Sequence, residues 1–177
     1  MMPSKIAFTD LEMTGLNPTE HEIIEIGLIV ADATTLQELD RFETRVHPQH
    51  LETANYQSLQ FTGYNEQNWA NALSLKDALT EYSKRATGSV FAAWNTPYDW
   101  MFLVAAYQKE RLEIPLDYHT LDIFSIAYEK MRDDEHFSIK LTKLCTSLGI
   151  PREPMPHRAI NGAEQAFELY KKLREQI

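Results

Sequence analysis

The chain has 177 residues, 44% of them apolar and 24% charged, enough for one well-filled core, and it reads as a single domain over residues 1–177. A net charge of −9 excludes coating of long duplex through a broad basic surface, although not a site that grips a few nucleotides through metal ions and local basic residues. No apolar run is long enough to span a bilayer, the start Met-Met-Pro-Ser-Lys lacks a secretory apolar segment, and the single cysteine, Cys145, excludes an internal disulfide. Together these predict a cytoplasmic protein with no membrane contact.

Residues 5–11 suit a first strand, and Thr14-Gly15 with Asn17-Pro18 mark a turn after it. The run 21–32, almost continuously apolar from Ile23 to Val30, reads as a strand covered on both faces. In residues 36–46 Phe42, Thr44 and Val46 alternate with Arg41, Glu43 and Arg45, as in an edge strand, so the three make an antiparallel meander. Residues 48–71 carry a weak pattern with room for one or two short helices. Ser74 caps a helix to about Lys84, and residues 89–94 form a short buried strand. Thr96 and Pro97 open the next helix, whose inward face carries Asp99, Phe102, Leu103 and Ala106 at helical spacing. A short strand at 118–121, a helix from Asp122 to about Arg132, a helix over 138–148 stopped by Gly149, and a helix from Ala159 to the end complete the order. Three strands followed by alternating helices and strands define an α/β domain with a mixed central sheet and helices on both faces.

Asp10 and Glu12 are two apart on the first strand and so share a face, opposite Thr9 and Leu11. Paired carboxylates repel, and a divalent cation with oxygen ligands offsets that repulsion. Asp99 points inward from a helix, and His157 stands at the end of a loop stiffened by Pro151, Pro154 and Pro156. Each has a structural alternative: solvated loop acids for the pair, a helix-dipole role for Asp99, a surface position for His157. Asp122 reads as a helix cap, and Cys145 and His119 as structural. Trp94 and Trp100 read as core, although Trp100 could reach substrate. Lys140, Lys143, Arg152 and Arg158 could guide a phosphate chain.

With Asp-Leu-Glu-Met-Thr-Gly-Leu (10–16), Trp-Asn-Thr-Pro-Tyr-Asp-Trp-Met-Phe-Leu (94–103) and Pro-His-Arg-Ala-Ile-Asn-Gly-Ala (156–163), the chain resembles the DEDDh 3′→5′ exonucleases. That superfamily includes oligoribonuclease, ribonuclease T and the proofreading subunit of bacterial replicative polymerases. The resemblance covers nearly the whole chain and implies a ribonuclease H-like fold. It implies hydrolysis of single-stranded DNA or RNA from the 3′ end, with release of mononucleotides, by a two-metal site taking Mg2+ or Mn2+. By motif, Asp10 would bridge the metals, Glu12 hold the first, and Asp99 serve the second directly or through water. His157 would take the proton from the attacking water, a task that suits an imidazole titrating near neutrality. Met13, Thr14, Gly15 and Leu16 would line the pocket for the terminal nucleotide.

One position departs from the family pattern. A fourth carboxylate is expected five residues after the histidine, and Gly162 stands there. Asn161 is rotated from that position by about 100° and Glu164 by roughly 200° on a helix, so neither replaces it. The departure implies a weakened metal site with slower or manganese-dependent hydrolysis. The alternative is a catalytically impaired, nucleic-acid-binding relative.

Overall fold

The computed structural model describes residues 3–175. Its strands β1 (Lys5–Met13), β2 (Ile23–Asp32) and β3 (Glu38–Arg45) form the antiparallel meander that the alternation predicts. The next segment, with its weak pattern, contains a single 3-10 turn, Leu51–Thr53, and the short helix α1 (Tyr56–Thr62). After it come α2 (Leu75–Ala86), β4 (Ser89–Ala93), α3 (Pro97–Glu110), β5 (Thr120–Asp122), α4 (Ile123–Met131), α5 (Leu141–Ser147) and α6 (Ala159–Glu175). Strands β4 and β5 add parallel to β1, giving a five-stranded mixed sheet in the order β3-β2-β1-β4-β5. No helix among the described residues is long and apolar enough to cross a membrane.

Strand periodicity divides the core in two. Ala7, Leu11, Ile26, Leu28 and Val30 face α2 and α3, and Thr9 on the same face hydrogen-bonds the Tyr82 hydroxyl at 2.8 Å. Ile6, Phe8, Ile29 and Ala31 face α4, α5 and α6. Asp10 and Glu12 continue the second set along β1, so the acids lie on the side that α6 covers. The pairing of β1 with β4 stops at Phe8 and Ala92, and β1 runs on to Met13 with no neighbour on that edge. Backbone groups freed there are open to side chains, and Asp99 uses one of them.

Gly27 sets how closely α6 approaches. It is the register partner of Asp10, and a Cβ added to it would fall 2.2 Å from the Ala159 carbonyl carbon. The first turn of α6 therefore rests directly on the strand backbone. Because the obstacle is main chain, Gly27→Ala is expected to destabilise the protein by about 3 kcal/mol through overpacking. That corresponds to a melting temperature about 6–12 °C lower. An unchanged melting curve would show that α6 does not sit this close.

Several local expectations need correction. The helix foreseen over 138–148 is only Leu141–Ser147, because the chain bends at residues 139–140 before it. Thr96 does not cap α3. Its own backbone is helical, and its hydroxyl donates to the Ala93 and Leu121 carbonyls while the Asp122 carboxylate accepts its amide. Asp122 does cap α4, accepting from the Ser125 amide, and Ser74 caps α2 through the Asp77 amide. Trp69, hidden in the polar stretch, is fully buried and donates to the Ile24 carbonyl at 3.0 Å.

Candidate metal centre and nucleotide cleft

Asp99 lies in the first turn of α3, reached from β4 through Asn95, which takes a left-handed backbone (φ 60°) to turn the chain. Its Oδ1 accepts the Leu11 amide at 3.0 Å, filling the backbone vacancy on β1 between Asp10 and Glu12. That bond locks the start of α3 to the acid-bearing end of β1, and Asp10 and Asp99 line one cleft. His157 comes from the proline loop. Its amide donates to the Phe61 carbonyl on α1 at 3.0 Å, and the Phe61 ring meets the imidazole edge-on at 6.1 Å.

Two acids that the sequence reading did not single out complete the cluster. Glu153, four residues before His157 in the proline loop, accepts the imidazole Nδ1 at 2.9 Å through Oε2 and the Arg158 amide at 3.0 Å through Oε1. Glu12, Glu153 and His157 each bring one ligand atom within 4.8 Å of the others. Glu25, the register partner of Glu12 on β2, is fully buried; Arg158 Nε donates to its Oε1 at 2.6 Å, while its Oε2 has no partner. A lone acid inside the apolar run of β2 was a readable signal for Glu25. Nothing in the spacing marked Glu153.

Burial and mutual repulsion dominate the electrostatics. Asp10 is held well above the usual carboxylate range by burial first, then by Asp99, Glu12, Glu153 and Glu25. Burial, with Glu153, Glu25 and Asp99 behind it, pushes Glu12 up to about 8. Asp99 rises to about 7 through burial, held back by the Leu11 amide. Burial raises Glu25 to about 7 against the opposing pull of Arg158. Arg158 is committed to Glu25 and Glu43, so the expectation that it guides a phosphate chain does not hold. Lys140, Lys143 and Arg152 are exposed. A cluster of hard oxygen donors with an orphaned buried carboxylate oxygen fits a divalent cation, which would bind the charged forms and relieve their repulsion.

Beside the acids opens a cleft of about 570 Å³ lined by Met13, Leu16, Trp94, Tyr98 and Phe124. Of Met13, Thr14, Gly15 and Leu16, the first and the last line this cleft. Thr14 and Gly15 do not. The Thr14 hydroxyl accepts the Glu22 amide, and its carbonyl accepts the Asn55 amide. Gly15 is glycine because the His21 ring lies where its Cβ would be, 2.4 Å away. Trp94 edges onto Phe124 at 5.3 Å, whereas Trp100 packs on Phe91 at 5.1 Å and belongs to the core. His119 pairs with Asp117, two residues before it, on the surface. Cys145 is buried.

Opposite Asp10 lies Gly162, in the first turn of α6. A Cβ there would meet the Asp10 carboxyl carbon at 2.5 Å. The carboxylate of Asp10 thus occupies the ground from which a side chain at 162 would reach the cluster.

The first strand thus brings Asp10 and Glu12, the helix after β4 brings Asp99, and the loop ahead of the last helix brings His157 to one end of the sheet. The family model for the exonuclease family of ribonuclease T matches residues 7–170. The chain belongs to that family. It is 27% identical over 168 residues to a PolC-type DNA polymerase III of Caldanaerobacter subterraneus, covering 95% of this chain but 11% of the polymerase. It is 25% identical to the DNA polymerase III epsilon subunit of Treponema pallidum, over 93% of this chain and 75% of the subunit. Among solved structures, the nuclease domain of 3′hExo bound to rAMP superposes with a TM-score of 0.78 at 20% identity, covering 98% of this chain and 92% of that one. E. coli exonuclease I in complex with a dT13 oligonucleotide gives 0.83 at 13% identity, over 97% of this chain and 41% of that one. These last two likenesses establish the shared fold.

Proposed function

We propose that the chain is a metal-dependent 3′→5′ exonuclease that removes mononucleotides from single-stranded DNA or RNA. The observation carrying this reading is the convergence of Asp10 and Glu12 from β1 with Asp99 from α3, with His157 beside them, next to an aromatic-lined cleft. Asp10, Glu12 and Asp99 would hold Mg2+ or Mn2+, which when bound supplies Lewis-acid activation of water and neutralises phosphate oxygens. Met13, Leu16 and the rings of Trp94, Tyr98 and Phe124 give the terminal base an apolar face to lie on. Glu153, an acceptor when ionised, keeps the His157 proton on Nδ1 and leaves the Nε2 lone pair to take a proton from water. The water oxygen bonds to phosphorus, the phosphorus–O3′ bond breaks, and the 3′-oxygen of the shortened chain leaves as a hydroxyl after taking a proton from solvent. The product is a nucleoside 5′-monophosphate. Its single cysteine, buried, is in keeping with a reducing cytoplasmic location.

Gly162 favours a second reading, a nucleic-acid-binding relative without turnover. End-labelled DNA and RNA oligomers assayed with Mg2+, Mn2+ or chelator separate the two. The exonuclease releases the 3′-terminal mononucleotide only with metal and shortens 5′-labelled strands to a ladder. Bound but intact oligomers in both metals would make the second reading the right one.

A further inference from the structure

Gly162 leaves the metal centre one carboxylate short on α6, yet the cluster is not short of acids. Glu153 enters from the proline loop on the other side of His157. It brings a ligand atom within 4.8 Å of both Glu12 and His157, a spread that one divalent ion bridges with small side-chain turns. Its side chain is 7% exposed, and two hydrogen bonds, from the His157 imidazole and the Arg158 amide, hold it in place. Each of its oxygens keeps a further lone pair, so those bonds do not preclude metal ligation. An independent sign that a cation suits this cluster is next door. Glu25, directly across from Glu12 in the β1–β2 register and fully buried, has an oxygen with no partner at all. Arg158 cannot answer it, being committed to the other Glu25 oxygen and to Glu43.

We propose that Glu153 is a metal ligand of this protein, supplying from the loop before His157 the carboxylate that Gly162 withholds from α6. Resting on the exonuclease reading, the assignment makes the site complete by a different route: loop and helix have exchanged the fourth acid. The Asp10 carboxylate lies beside Gly162, and Glu153 approaches Glu12 from the loop. A carboxylate at 162 and one at 153 are then alternatives for the same ion.

Mn2+ affinity, measured by titration with detection of free Mn2+ by electron paramagnetic resonance, tests this without reference to turnover. Glu153→Gln is expected to lower affinity by about tenfold or more. Adding Gly162→Asp to Glu153→Gln is expected to recover most of that loss, the Asp10 carboxylate shifting off the 162 position while staying within the cluster. A role confined to steadying His157 would give no such recovery. Affinity of Glu153→Gln within about twofold of wild type, or a loss that Gly162→Asp does not recover, would overturn the assignment. Should Glu153→Gln not melt cooperatively, Glu153→Asp takes its place, keeping the charge but shortening the reach, under the same criterion. Absence of Mn2+ binding by the wild-type protein would overturn both this assignment and the exonuclease reading beneath it. Wild-type binding with unchanged variant affinity sinks only the assignment.

Discussion

Asp10→Asn is expected to lower release of 3′ mononucleotides by about a thousandfold, equivalent to roughly 4 kcal/mol of transition-state stabilisation, while making the metal-free protein more stable. Both effects have one cause. Asp10 sits half-buried among Asp99, Glu12, Glu153 and Glu25, and its charge is opposed by all of them. An amide keeps the shape and removes that charge, so repulsion falls when no cation is present. The same change removes the acid best placed to serve ions held by Glu12 and by Asp99. Rate assays at saturating Mn2+ and thermal melts in chelator should move in opposite directions, with the melting temperature rising by several degrees for each one or two kcal/mol of repulsion relieved. A variant that is both inactive and less stable would show that Asp10 is held by contacts other than cation binding.

The second large effect concerns pH and metal together. Glu12 at about 8, Asp99 and Glu25 at about 7, and Asp10 well raised all bind protons more tightly in the folded protein than in the unfolded chain. Raised carboxyl groups contribute their stability below the unfolded value of about 4, and lose it as pH rises through the folded values. The melting temperature of the chelated protein should therefore fall steadily from about pH 5 to about pH 8. Divalent cation binds the deprotonated cluster, so its stabilising effect should run the other way. At a hundredfold excess over the dissociation constant, binding contributes about 2.7 kcal/mol, a rise of about 5–10 °C for a chain of this size. That rise should be present at about pH 8 and largely absent at about pH 5, where protons compete for the same oxygens. A metal-induced shift independent of pH would place the cation elsewhere.

Much of the sheet could be read from one sequence because its signals are local. The period of two in Phe42, Thr44 and Val46 and the unbroken apolar run of β2 report directly on which faces are covered. The placement of Asp10 and Glu12 on one face needed only that same period. The legibility of Asp99 rested on helical spacing behind Pro97, although the Leu11 amide that anchors it belongs to a strand 88 residues away and leaves no trace in the local pattern.

What stayed hidden depends on contacts between distant elements. Gly27 looks like a weak point in a strand until α6 is laid against it. At Gly15 the room for a Cβ is taken by the ring of His21, six residues on, a contact that the local pattern does not announce. Arg158 looked free because its partners, Glu25 and Glu43, come from two other strands. Glu153 was invisible for a further reason. The expected fourth acid sits at a fixed offset after His157, and an acid ahead of the histidine reaches the cluster only because the proline loop folds back over Glu12.

Three acids from two elements are expected to share cations beside His157. Crystals grown with Mn2+ and a nucleoside 5′-monophosphate, with anomalous diffraction locating the manganese, measure this directly. Peaks within ligand distance of Asp10, Glu12 and Asp99, with the base over Met13 and Leu16, are the predicted result. Manganese bound away from these carboxylates, or none at all with the nucleotide in place, would contradict it.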